Sequence, residues 1–160
     1  MIQKIAKILF DKKLTVSTTE SCTGGLLSSR FTDISGSSEF VHLNFVTYSN
    51  EAKQKILGVK KETLAKYGAV SEQTAFEMAC GLYNVTGADI CISTTGIAGP
   101  TGGTKEKPVG LMYSTIYLGN KNVSKTYRII KPSDTPRIEM KNKFTDEVLK
   151  NLYELLISEF

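Results

Sequence analysis

The chain has 160 residues, enough for one domain whose core needs no disulfide or metal to hold it. Hydrophobic residues make up 41% and charged residues 22%, an ordinary globular mix, and no apolar run is long enough to span a bilayer. The net charge is +4 with the lysines spread along the chain, so there is no nucleic-acid footprint, only a mildly basic surface that suits a small anion.

Residues Ile2 to Lys12 put Ile5, Ile8 and Leu9 on one face and predict a first helix. A β-branched run, Leu14-Thr15-Val16-Ser17-Thr18-Thr19, predicts a strand. It opens into the polar turn Glu20-Ser21-Cys22-Thr23-Gly24-Gly25, after which Leu26, Leu27, Arg30 and Phe31 predict a helix to about Thr32. Asp33 to Ser38 is a loop, with a helical turn through Glu39 and Phe40. Phe45-Val46-Thr47-Tyr48 predicts a second strand, and Ser49-Asn50 caps a short helix, Glu51 to Leu57, closed by Gly58. A further helical segment runs from Lys60 to Tyr67. Ser71 starts a long helix with Ala75, Met78, Ala79 and Leu82 on its apolar face. Ala88 to Thr95 is nearly all apolar or β-branched and predicts a buried central strand. Val109 to Tyr117 and Val123 to Ile130 alternate around Gly119-Asn120-Lys121-Asn122, the pattern of an antiparallel hairpin. Pro132 to Pro136 introduces a last helix striped by Phe144, Val148, Leu149, Leu152, Leu155 and Leu156. The alternation specifies an α/β domain with a mixed sheet covered on both faces.

Three stretches stand at the ends of predicted strands: the Ser21 turn, Tyr48 to Lys53, and the loop Gly96-Ile97-Ala98-Gly99-Pro100-Thr101-Gly102-Gly103. Ligands of open α/β sheets bind outside the carboxyl ends of the strands, so parallel neighbours would bring all three into one crevice. Four glycines in eight residues exceed what a turn needs; successive N–H groups there can cradle an anion, with Lys107 in reach and Lys105 more simply a solvated lysine. The loop matches neither the phosphate-loop pattern nor the dinucleotide fingerprint, and a long connection into the hairpin is the plainer alternative.

Ser21 is a candidate nucleophile, and helix capping is its ordinary alternative. The one histidine, His42, lies in Val41-His42-Leu43-Asn44, which does not mark it as a base, and a structural role is expected. No group of residues has metal-ligand spacing, so metal catalysis is not expected. A lysine made neutral by desolvation can serve instead, and Lys53 leaves the same strand end as Tyr48. Tyr48 could relay a proton or steady the pair, whereas Lys53 taken alone reads as a surface helix lysine. Cys22 competes with Ser21 as nucleophile, but neighbours in sequence do not both face one cleft, and Cys22 reads as packed. With Cys80 and Cys91 it makes three cysteines, read as free thiols in a reducing compartment. The amphipathic N-terminus lacks a secretory signal, so a cytoplasmic location is expected.

Glu20 to Gly25, Thr47 to Lys53, Gly68-Ala69-Val70-Ser71, and Gly96 to Gly103 followed by Lys107-Pro108-Val109-Gly110 together resemble the CinA C-terminal domain family, from about Ile5 to the last helix. The resemblance implies an α/β/α sandwich with a mixed, mostly parallel sheet, expected here as one domain over residues 1–160. Some members fuse this domain behind a larger one; here it is expected to stand alone. It implies a nicotinamide-nucleotide amidohydrolase that turns nicotinamide mononucleotide and water into nicotinate mononucleotide and ammonia, without a cofactor. It also implies a homodimer or higher homo-oligomer, with neither nucleic acid nor membrane as partner. The family's serine, tyrosine and lysine fall on Ser21, Tyr48 and Lys53. Substrate contacts are expected from Cys22, Thr23, Gly24 and Gly25 and from Thr95, Gly96, Gly99, Gly102, Gly103 and Lys107. Many relatives carry Gly-Asp-Arg before the last helix. This chain has Ser133-Asp134-Thr135-Pro136-Arg137, so the arginine contact is expected from Arg137, shifted in register, or is lost. The alternative function is a non-catalytic nucleotide- or partner-binding domain, which needs the glycine loop but neither Tyr48 nor Lys53.

Overall fold

The computed structural model describes residues 1–160. Five strands form one sheet in the order β2-β1-β3-β4-β5: β1 Val16–Glu20, β2 Phe45–Val46, β3 Ile90–Gly96, β4 Leu111–Leu118 and β5 Val123–Ile130. β2, β1 and β3 are parallel neighbours; β4 is antiparallel to both β3 and β5. Four strands therefore point one way and only β4 is reversed. The hairpin forms where its alternation predicts, from Leu111↔Ile130 to Leu118↔Val123.

Helices α1 Ile2–Lys12, α2 Leu26–Thr32 and α6 Arg137–Glu159 cover one face. Their apolar stripes meet Val16, Ile90, Ile92, Met112 and Ile116 in the larger core, around Leu9, Leu27, Phe31, Phe144 and Leu152. Helices α3 Asn50–Leu57, α4 Lys61–Tyr67 and α5 Glu72–Thr86 cover the other face, where Leu57, Val59, Met78 and Leu82 pack with Cys91. The period of two along β3 divides these layers: Ile90 and Ile92 face one core and Cys91 the other.

The caps explain the helix bounds. Ser49 accepts the Ala52 N–H at 3.0 Å and Ser71 that of Thr74 at 3.1 Å, each satisfying a donor of a first turn. Gly58 and Gly87 end α3 and α5 in the left-handed conformation. The last helix starts one residue after Pro136 rather than with it. The second strand is shorter than expected: the Thr47 N–H still donates to the Glu20 carbonyl at 2.8 Å, but the Thr47 and Tyr48 carbonyls turn to Lys53 instead of continuing the ladder. No helix is long and apolar enough to cross a membrane.

Candidate active site

The carboxyl ends of β2, β1 and β3 lie side by side, which places the Ser21 turn between Tyr48 and the glycine loop. Gly24 and Gly25 adopt φ of 62° and 103°, which lets the chain leave β1 and enter α2 within five residues. The Ser21 N–H is held by the Thr94 carbonyl at 3.0 Å and the Gly24 N–H by the Ser21 carbonyl at 3.1 Å. Those of Cys22, Thr23 and Gly25 donate to no protein group.

Lys53, on the first turns of α3, is 1% exposed and extends its amine to Ser21 Oγ at 3.0 Å. The same nitrogen donates to the Thr47 carbonyl at 2.9 Å and the Tyr48 carbonyl at 3.0 Å. No carboxylate pairs with it. Burial without a counter-ion lowers its pKa from 10.5 to about 8. A neutral amine has two hydrogens and one lone pair. In that neutral form the two carbonyls take the hydrogens and the lone pair is left for the Ser21 hydroxyl, the arrangement of a base beside a nucleophile; the protonated amine instead donates to Ser21 Oγ, whose hydroxyl donates to the Tyr48 carbonyl.

Tyr48 takes part through its backbone. Its carbonyl contacts both Lys53 and Ser21, the latter at 3.3 Å, while its phenol makes no hydrogen bond to either. That ring is 59% exposed, and its oxygen accepts from Arg137 at 3.3 Å. Cys22 is buried, and burial pushes its thiol up to about 12, so it stays protonated and does not compete with Ser21. His42 is exposed, and its backbone pairs with Val16 at the far end of β1.

A cavity of about 200 Å³ lies beside the Ser21 turn, lined by Cys22, Tyr48, the loop residues Gly96–Gly99, Thr101 and Gly102, and Arg137. The N–H groups of Ala98, Gly99, Thr101, Gly102 and Gly103 donate to no protein acceptor. Arg137, the first residue of α6, closes the far wall by donating to the Gly99 carbonyl at 2.6 Å. Larger depressions, of about 420 and 460 Å³, lie along α6 and the β5 edge, away from any buried nucleophile.

Other expected contacts are engaged elsewhere. The Thr95 hydroxyl donates to the Ala69 carbonyl at 2.7 Å, on the face opposite Thr94. The Lys107 ammonium is bound to the Tyr67 carbonyl at the end of α4. Thr23 is fully buried, its hydroxyl spent on Glu20 and Thr94. Gly96 and Gly103 are glycine for packing: a Cβ there would lie 2.7 Å from the Leu111 oxygen and the Val109 nitrogen respectively. Gly24 and Gly25 shape the turn, under Lys141 and Val46.

Glu20, Thr47 and Thr94 also hold the site, and their signal in the sequence was weak. Buried polar residues on a central strand stood out only as β-branched or capping types. Thr47 is fully buried, and its hydroxyl pairs with that of Thr19 at 2.8 Å, which fixes the segment whose carbonyl holds Lys53.

The fold and this site define a class: an α/β/α sandwich with a serine at the end of a central parallel strand, a buried lysine against it, and a glycine loop with unspent N–H groups beside both. Within that class, the sequence model of the CinA C-terminal domain matches residues 1–156, and the chain belongs to that family. It is 49% identical over 158 residues to a CinA-like protein of Chloroherpeton thalassium, covering 96% of this chain and 37% of that protein. The chain thus spans little more than a third of that curated relative's length. The crystal structure of the competence/damage inducible protein CihA from Agrobacterium tumefaciens superposes with a TM-score of 0.89 at 39% identity, covering 98% of this chain and 92% of that one. The competence damage-inducible protein A (ComA) from Klebsiella pneumoniae gives 0.93 at 31%, covering 99% and 96%.

Proposed function

We propose that the protein is a nicotinamide-nucleotide amidase, hydrolysing the carboxamide of nicotinamide mononucleotide to nicotinate mononucleotide and ammonia. The observation that carries this reading is the 3.0 Å contact between a buried, unpaired lysine amine and the Ser21 hydroxyl. Ser21 Oγ attacks the carboxamide carbon while Lys53 takes its proton. The charge that develops on the carbonyl oxygen meets the Cys22 and Thr23 N–H groups, which have no other acceptor. Collapse of the tetrahedral species expels ammonia, which receives the proton from Lys53. Water, deprotonated by the same amine, then hydrolyses the acyl-enzyme and frees Ser21. The five free N–H groups of the glycine loop and the Arg137 guanidinium suit the nucleotide phosphate. Tyr48 contributes its carbonyl to Lys53 and its ring to the cavity wall.

Incubating the protein with nicotinamide mononucleotide and measuring ammonia tests the reading. We expect turnover by the native chain and a loss of at least about 1,000-fold in Ser21→Ala, whose fold is intact by circular dichroism. Equal ammonia release by both proteins removes Ser21 from the chemistry, and no release by the native chain removes the substrate.

A further inference from the structure

Glu20 is wholly buried, and it points away from Lys53. Along β1 the side chains of Ser17 and Thr19, which meet the Leu43 N–H and the Thr47 hydroxyl, lie on the face opposite Thr18 and Glu20, and Glu20 meets the first turn of α2. The carboxylate accepts the Leu27 and Ser28 N–H groups, both at 2.9 Å, and the Thr23 hydroxyl at 2.6 Å. Because a carboxylate only accepts, the Thr23 proton is committed to Glu20. In the 2.8 Å contact between Thr23 and Thr94 the Thr94 hydroxyl must then be the donor. That leaves the Thr94 hydroxyl oxygen to accept; the Ser21 N–H, held chiefly by the Thr94 carbonyl at 3.0 Å, reaches it as a second, longer contact at 3.4 Å. A one-directional chain therefore runs from the Ser21 backbone through Thr94 and Thr23 to the buried Glu20 side chain. It spans the turn whose Cys22 and Thr23 N–H groups remain free.

We propose that Glu20, Thr23 and Thr94 are positioning residues: their chain fixes the Ser21 turn so that the Cys22 and Thr23 N–H groups meet the oxyanion as it forms. This rests on the reading of Ser21 as nucleophile. None of the three touches the reacting atoms. Thr23 acts because its side chain is clamped at both ends of one oxygen, which immobilises its own backbone. An oxyanion donor displaced by a fraction of an ångström loses most of its value in the transition state and little in the ground state.

Thr23→Val keeps the shape and removes both hydrogen bonds; Thr23→Ser keeps both. Two readouts decide. The first is kcat and KM for ammonia release from nicotinamide mononucleotide, per folded molecule. The second is the rate at which a fluorophosphonate probe labels Ser21, since its phosphoryl oxygen needs the same donors. Thr23→Val is expected to lower kcat and labelling together by about 100-fold. KM and the pH midpoint of the rate stay in place, and Thr23→Ser restores both rates. Native kcat and labelling in folded Thr23→Val overturn the proposal, as does a moved pH midpoint, which would place the effect on Lys53. If Thr23→Val does not fold, Thr94→Val, which breaks the chain one link earlier and leaves Glu20 all its donors, is read by the same criteria. Native protein that labels but releases no ammonia rejects the substrate alone, and labelling then decides the proposal. Native protein that does neither rejects both.

Discussion

An amine that titrates near pH 8 changes its chemical identity across the range where most enzymes work. Below that pH Lys53 is an ammonium with three hydrogens for three oxygens; above it, a base with its lone pair on Ser21. Under the proposed mechanism only the second form accepts the serine proton. We expect kcat/KM for nicotinamide mononucleotide to rise about tenfold per pH unit below 8 and level off above it. A rate that is flat from pH 6 to 9 removes Lys53 as the base. Stability carries the same signature by an independent route. The folded-state pKa lies below the unfolded 10.5, so between pH 8 and 10.5 the unfolded chain binds the extra proton. Stability from this group therefore rises with pH across that window and is lowest below 8. Lys53→Met lacks the titration. The difference in unfolding free energy, native minus variant, should grow from pH 7.5 to 10 when measured by urea denaturation. A constant difference would show that the amine titrates normally.

At the scale of elements, the helices and strands were legible because each obeys its own periodicity. The core stripes of α1, α5 and α6 and the alternation of the hairpin need no distant partner to be recognised. The short second strand was harder to bound, since its last residues serve Lys53 rather than a ladder. Glu20 read as one polar residue in a turn. Besides the Thr23 hydroxyl, its donors are backbone N–H groups seven and eight residues on, which come within reach only once Gly24 and Gly25 take positive φ. Gly81 was invisible for a related reason. It lies in the middle of α5, where glycine is a cost, yet a Cβ there would stand 1.9 Å from the Leu57 carbonyl oxygen. The close approach of α3 to α5 depends on that missing atom, and α3 carries Lys53. Helix propensity favours alanine, but packing wins here. Gly81→Ala is expected to lower stability by about 1–3 kcal/mol, measured by denaturation, and to weaken turnover by displacing Lys53. A variant more stable than the native chain would mean that propensity dominates and the helices are free to part.

For the whole molecule, the site is assembled from pieces remote in sequence: Ser21 from one strand end, Lys53 from a helix after another, the glycine loop from a third, and Arg137 from the last helix. Nothing local in any segment dictates their meeting. It follows from sheet order, because β2, β1 and β3 are parallel neighbours and their carboxyl ends share one edge. From the sequence this convergence is only conditional, since strand order is a global property that no single segment encodes. The arginine shows the same limit. Counted along the chain, Ser133 to Arg137 departs from the Gly-Asp-Arg that the resemblance leads one to expect, yet in space the first turn of α6 delivers Arg137 to the Gly99 carbonyl and the Tyr48 phenol. Its guanidinium spans the cavity from the glycine loop to the β2 end, so one cation binds together walls contributed by three segments. If the loop's free N–H groups and Arg137 jointly hold a phosphate, removing the arginine costs binding of phosphorylated substrates and spares uncharged ones. Arg137→Ala should raise KM for nicotinamide mononucleotide by about tenfold or more, with a small change in kcat, and leave unchanged any turnover of nicotinamide riboside, which lacks the phosphate. The contrast between the two substrates is what discriminates. An equal loss on both would mean that Arg137 supports the cavity wall through Gly99 and Tyr48 without meeting the phosphate.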